Sequence, residues 1–190
     1  MKTVYCVMGR TASGKSTIVK EVCKRLGMKY LKSYTTRKMR IGETTENSDH
    51  TFIAENEVDF FKKDMIAYVD RVDYCSFATK QQILDADFYI INPNSFIDLV
   101  ENNKVDNIRF KTIVITTPFS KLESQAKKRG DYNSWKENYD NENEEFKKIN
   151  HQHLDDYRVL NDGSIDDAVE KMIKIIERDK IKQVKENQDE

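Results

Sequence analysis

Apolar residues fall in short blocks separated by longer amphipathic stretches. Val4–Met8, Phe88–Ile91, Thr112–Ile115 and Arg158–Leu160 are runs too short for helices and mostly continuous rather than alternating. That pattern predicts parallel strands buried on both faces. Met28–Leu31 is a further short strand. Between the runs, apolar positions recur at helical spacing in Ser16–Leu26, Ser95–Glu101, Lys121–Lys128 and Ile165–Ile176. Gly27 and Gly130 stand where the first and third of these helices must stop, as left-handed C-caps. Strands alternating with helices predict an α/β fold, a doubly wound parallel sheet of the P-loop type with helices on both faces.

Two stretches depart from that rhythm. Residues 33–78 read as an inserted unit, with strands at Thr51–Ile53, Ile66–Val72 and Tyr74–Phe77 around a helix at Glu57–Lys63. It opens with a polar loop, Ser33–Asp49, basic and then acidic, of a length that is usually functional inside a compact domain. Gly130–His153 is strongly charged and is predicted to be a mobile, solvent-facing helical hairpin, with Lys136–Lys148 as a solvated face. The tail from Arg178 is expected to fray. One domain is expected, its central sheet built by 1–32, 79–128 and 154–190.

The junction of the first strand and helix carries the clearest chemistry. Gly9-Arg10-Thr11-Ala12-Ser13-Gly14-Lys15-Ser16 matches G-x-x-x-x-G-K-[ST]. Gly9, Thr11, Ala12, Ser13 and Gly14 supply backbone N–H groups that wrap phosphate oxygens, and the helix N-terminus adds partial positive charge. Lys15 reaches the β- and γ-phosphates, the Ser16 hydroxyl sits on Mg²⁺, and Thr17 follows in the same helical turn. ATP with Mg²⁺ is the expected ligand, and GTP fits the same loop. A second basic segment, Ser33-Tyr34-Thr35-Thr36-Arg37-Lys38-Met39-Arg40-Ile41-Gly42-Glu43, sets two arginines three residues apart behind hydroxyls. That arrangement suits an ester phosphate held bidentately; read alone, such a segment is more often a solvated basic loop.

Together, Gly9–Ser16 and Ser33–Glu43 resemble the guanylate kinase family, whose phosphate loop is followed by Ser-x-Thr-Thr-Arg-x-x-Arg-x-Gly-Glu. The resemblance spans Val4 to about Ile176. It implies a core sheet, an inserted monophosphate-binding unit at 33–78 and a lid at 129–153. It implies that Ser33, Arg37 and Arg40 grip the acceptor phosphate, that Arg129 closes from the lid on the transferring group, and that Asn161 lies near the adenine. His50 stands where the family has a phosphate-binding tyrosine, in the stretch begun by Asp49. Ser76-Phe77-Ala78-Thr79 replaces Tyr-Gly-Thr-Ser, so Ser76 and Thr79 are carried over as substrate-side positions. Ala67 replaces a guanine-reading glutamate, and Asp70 is the substitute reader. The Asp-x-Asp of the family is Ile90-Ile91-Asn92 here, and a second lid arginine is missing from Trp135-Lys136-Glu137-Asn138.

Composition narrows the classes. Thirty-two Lys and Arg against 33 Asp and Glu give a formal net charge of −1, which leaves no global attraction to nucleic acid or anionic membrane. No run approaches the ~18 apolar residues of a membrane span, and the apolar start at Met1–Met8 is too short for a signal peptide. Cys6, Cys23 and Cys75 have no metal or disulfide spacing, which fits reduced thiols in a cytoplasmic chain. His151 and His153 have no further ligand nearby and read as solvated helix side chains, and the turn position of Asp85 and Asp87 favours a strand-entry role over a metal carboxylate pair. The aromatic residues Phe60, Phe61, Tyr68, Tyr74 and Phe77 read as core of the insert, with one of them available to stack on a base. The expected function is ATP-dependent phosphorylation of a nucleoside monophosphate, GMP or dGMP first, by a monomer or homodimer. The alternatives are a nucleotide- or protein-binding module without catalysis, a kinase for another monophosphate, and a kinase acting on polynucleotide ends.

Overall fold

The computed structural model describes residues 1–186 apart from 41, 103, 104 and 152; Ile41 of the arginine segment thus lies outside the described residues. At its centre is strand β1 (Lys2–Gly9). It pairs in parallel with β7 (Phe88–Ile90) on one side and β8 (Ile108–Thr116) on the other. Strands β2 (Tyr30–Leu31) and β9 (Tyr157–Leu160) complete a five-stranded sheet in the order β2-β7-β1-β8-β9. Every pairing in it is parallel.

The continuous apolar run of β1 is explained by two cores. Val4, Cys6 and Met8 face a layer with Phe96 and Leu99 of helix α3 (Pro93–Glu101). Tyr5 and Val7 face helices α1 (Lys15–Leu26) and α6 (Ile165–Glu186), through Ile18, Val22, Met172 and Ile176. A central strand in such a sheet has no solvent face, so neither set of alternate residues can be polar.

Residues 33–79 build a second, four-stranded sheet in the order β4-β3-β6-β5. Its strands are β3 (Ser33–Thr35), β4 (His50–Phe52), β5 (Met65–Arg71) and β6 (Tyr74–Thr79). The expected loop 33–49 therefore begins as a strand, because Ser33–Thr35 pairs with both β4 and β6. The expected helix at 57–63 is a 3₁₀ helix, Glu55–Phe61, with no buried residue to hold a full α-helix. Helix α2 (Lys80–Asp85) follows, capped by the Thr79 hydroxyl, which accepts the Gln82 N–H at 3.3 Å.

Two corrections concern the charged segments. The expected hairpin within 130–153 is one helix, α5 (Tyr132–His151), following α4 (Phe119–Arg129) across Gly130 at φ 80°. Trp135, Tyr139, Glu142, Phe146 and Ile149 fall on one face at alternating spacings of four and three. Trp135 is fully buried against Leu122 and Ala126 of α4, so this face is packed rather than solvated. The tail does not fray at Arg178 either, since α6 continues to Glu186. Asp179 anchors it: the carboxylate accepts from the hydroxyls of Tyr5 (2.9 Å) and Tyr157 (2.6 Å) and from the Gln183 amide (2.6 Å). Cys6, Cys23 and Cys75 are free and buried, and no described helix is long and apolar enough to cross a membrane.

Asp179→Ala is expected to lower stability by about 1–3 kcal/mol, because it leaves the buried Tyr5 hydroxyl and the part-buried Tyr157 hydroxyl without their acceptor. Urea unfolding of the full chain checks this; an unchanged midpoint would show that the hydroxyls find other partners.

Candidate active site

The Gly-rich turn leaves β1 and enters α1 through two left-handed residues, Ala12 (φ 67°) and Gly14 (φ 82°). Gly14 caps α1 without a side-chain hydrogen bond, and the first helical turn holds no acidic residue. The N–H groups at this end are therefore unspent, and the helix adds its positive end. A side chain at Gly9 would meet Ser13 Oγ at 2.7 Å and the Ile115 carbonyl at 3.1 Å, so only glycine lets the loop close on the sheet. The loop is braced from behind: the Ser13 carbonyl accepts from Asn161 Nδ2 (2.8 Å) and Thr117 Oγ1 (3.2 Å). Ser13 Oγ is buried with no partner among the described residues.

The loop forms one wall of a cleft of about 490 Å³, and the arginine segment forms another. Gly9, Thr11, Ala12, Ser13, Gly14, Lys15, Ser16 and Thr17 line it together with Ser33, Arg37, Arg40, His50, Ser76 and Arg129. The cations are close enough to feel one another. The pKa of Lys15 is lowered, first by desolvation and also by Arg40 and Arg129, while Glu142 and Asp49 oppose the shift. Desolvation and then Arg37, with Arg129 adding to them, lower that of Arg40.

Carboxylates answer most of these charges. Glu43 holds Arg37 in a two-point fork, at 3.0 Å for each contact. Burial alone would raise the Glu43 pKa, but donors from Arg37, the Arg40 N–H and Ser48 bring it down to about 2. Asp131 holds Arg129 in the same way, at 2.9 and 2.7 Å. Arg71 of β5 meets Glu145 of α5 across the cleft at 3.3 Å. The Arg40 guanidinium alone among these makes no hydrogen bond or ion pair to a described residue.

His50 sits inside this array, with Nδ1 at 2.9 Å from the Ser33 hydroxyl. Burial and then the Arg37 charge push its pKa down to about 4. It is a neutral imidazole at ordinary pH, able to donate from one nitrogen, as a phenolic hydroxyl would.

The Ser16 hydroxyl faces the Asp49 carboxylate directly, and Lys20 lies 3.0 Å from the same carboxylate. Among the described residues no group of three or more His, Cys, Asp or Glu can hold a metal by itself. A serine oxygen and one carboxylate are oxygen donors of the kind that would suit Mg²⁺.

Three expected site residues do not line the cleft. Asn161 is fully buried behind the phosphate loop, where its amide is used on Ser13 and its Oδ1 accepts from Lys121 at 2.7 Å. Thr79 is used as the cap of α2. Asp70 points away, because β5 carries an extra residue between Ile66 and Val69. The bulge includes Ala67 at φ 50°, and beyond it Val69 and Arg71 share the cleft with Ser76 and Tyr74 while Asp70 is exposed. Conversely, the cleft is lined by Asp49, Arg71, Glu142 and Glu145, which sequence reasoning did not place in the site. Glu142 was visible in principle as the one charged residue in the apolar stripe of α5.

Comparison with solved structures finds the crystal structure of guanylate kinase from Anaplasma phagocytophilum. The TM-score is 0.62, with 14% sequence identity over 94% of this chain and 86% of that chain. No family model and no curated protein matches the sequence. The chain thus has a guanylate kinase-like fold, a mixed α/β architecture of nucleotide kinase type.

The His50 imidazole is expected to stay neutral until the pH falls near 4, against an ordinary 6.5. Between those values the unfolded chain takes up a proton that the folded chain refuses, so stability declines as pH falls through that window. Imidazole nitrogen shifts measured by NMR check this, and a midpoint near 6.5 would show that the ring is hydrated. Binding of a phosphate monoester beside it is expected to move the midpoint upward.

Proposed function

We propose that the chain transfers the γ-phosphoryl group of ATP to a nucleoside monophosphate, with GMP or dGMP as the favoured acceptor. The observation that carries this reading is the placement of Lys15 with the phosphate loop, and of Arg37 and Arg40, on two walls of one cleft. One cradle suits a polyphosphate and the other a phosphate monoester, and a volume of about 490 Å³ falls within the range of small-molecule sites.

In the reaction an oxygen of the acceptor phosphate attacks the γ-phosphorus, and the bond to the β–γ bridging oxygen breaks, releasing ADP. The nucleophile is already an anion, so the site needs no general base; positioning and charge neutralisation do the work. Lys15 and the loop N–H groups hold the β- and γ-oxygens. Arg40, whose guanidinium makes no hydrogen bond or ion pair to a described residue, takes the acceptor phosphate, helped by Ser33 and the neutral His50. Arg37, fixed by Glu43, sets the register of that grip. Arg129 turns from Asp131 to the transferring group. Ser16 and Asp49 would hold Mg²⁺, which supplies charge neutralisation on the donor phosphates.

The acceptor nucleoside extends away from the phosphate loop, along Ala67, Val69, Arg71 and Tyr74. No acidic residue of β5 faces it, and Glu145 of α5, about 13% exposed, is the carboxylate at that wall. Guanine offers N1–H and N2–H₂ as adjacent donors, which a carboxylate accepts. A non-catalytic binding module is the second reading, favoured by the internal carboxylates that already occupy Arg37 and Arg129.

A coupled ADP-release assay across ribo- and deoxyribonucleoside monophosphates tests the proposal. Turnover is expected with GMP or dGMP, reduced roughly 10²–10³-fold by Lys15→Met or Arg40→Met. Glu145→Gln is expected to raise KM for the guanine nucleotide about tenfold and to leave a pyrimidine acceptor unaffected. Tight ATP binding without turnover on any acceptor would favour the binding module.

A further inference from the structure

Helix α5 is fastened to the phosphate loop along one face. Trp135 Nε1 donates to the Thr11 carbonyl at 3.0 Å, and Arg10 donates to the Tyr139 carbonyl at 3.2 Å. The Arg10 guanidinium lies over the rings of Tyr139 (4.5 Å) and Phe146 (5.0 Å). In the middle of this seam Glu142 turns into the cleft. Its carboxylate accepts the Thr11 N–H at 3.1 and 3.0 Å, one contact to each oxygen, and the Thr11 hydroxyl at 2.5 Å.

Those are bonds of the type that the loop offers to phosphate: a backbone N–H and a hydroxyl converging on an anion. Glu142 is also the largest single charge acting on Lys15. Glu142 lines the same cleft as Lys15 and Ser16, so a donor nucleotide laid in the cradle brings its own negative oxygens against this carboxylate.

We infer that Glu142 is a resident anion of the phosphate cradle, an affinity-determining residue that the donor nucleotide displaces from Thr11 on binding. The inference rests on the reading of the loop as the ATP site and adds what that site holds beforehand. The charge of the cradle, a desolvated lysine acted on by Arg40 and Arg129, is thereby offset, and the donor gains only the difference between its own contacts and those of Glu142. Trp135, the single tryptophan of the chain, is bonded to the same residue as Glu142 and reports the exchange.

The experiment titrates the full chain with ATP-Mg²⁺, following Trp135 emission and binding heat, for the native protein, Glu142→Gln and Glu142→Ala. Glu142→Gln keeps one acceptor oxygen for Thr11 and removes the charge, so it retains the seam if Glu142→Ala folds poorly. Glu137→Gln, on the exposed side of α5, is the control and is expected to bind as the native protein does. The expected result is an affinity about tenfold or more higher in Glu142→Gln, together with a change in Trp135 emission on binding to the native protein. Equal or weaker binding by Glu142→Gln overturns the inference and leaves the ATP site standing. No binding by any of the folded variants overturns both.

Discussion

Positive charge packed in a desolvated cleft cannot persist without compensation, and the architecture of this protein follows from how that compensation is arranged. Lys15, Arg37, Arg40, Arg71 and Arg129 line a single cleft. Each guanidinium except that of Arg40 meets a carboxylate of the same chain, and Glu142 and Asp49 act on Lys15. Those carboxylates come from separate parts of the fold: Asp49 and Glu43 from the insert, Asp131 from the turn after α4, Glu142 and Glu145 from α5. A chain whose net charge is −1 thereby gathers five cations in one cleft with four carboxylates, Glu43, Asp49, Glu142 and Glu145, among them, and the electrostatics join sheet, insert and helix pair. Such pairs are expensive to break by removing one partner.

Much of this frame is legible in the sequence. The strand at Val4–Met8, the Gly-rich turn and the helix after it follow from continuous apolar residues, a fixed spacing and a glycine stop, all local signals. The arginine segment is legible only in combination with the turn, because two arginines in a polar loop carry no information about what they face. What fails is what depends on distant contacts. Lys136–Lys148 looks solvated because charges outnumber apolar residues there, yet spacings of four and three place Trp135, Tyr139, Phe146 and Ile149 on one side. The tail beyond Arg178 looks loose until the hydroxyls of Tyr5 and Tyr157 arrive from the sheet to meet Asp179.

Asn161 illustrates a different limit. The family resemblance implies a place near the adenine of a bound nucleotide; in the fold its amide is spent on the back of the Gly-rich turn. An amide that satisfies the Ser13 carbonyl fixes the curvature of the cradle, and a sequence motif cannot distinguish holding a ligand from holding the loop that holds it.

The bulge in β5 shows how a pocket wall can change sign without any change in residue composition. Regular alternation from Ile66 would set Tyr68 and Asp70 beside Ser76 and Tyr74; the added residue sets Val69 and Arg71 there. An acid is turned outward and a base inward by phase alone. Gain or loss of one residue at this point of the strand would exchange which alternate set of side chains faces the cleft, moving several positions at once where a substitution moves one.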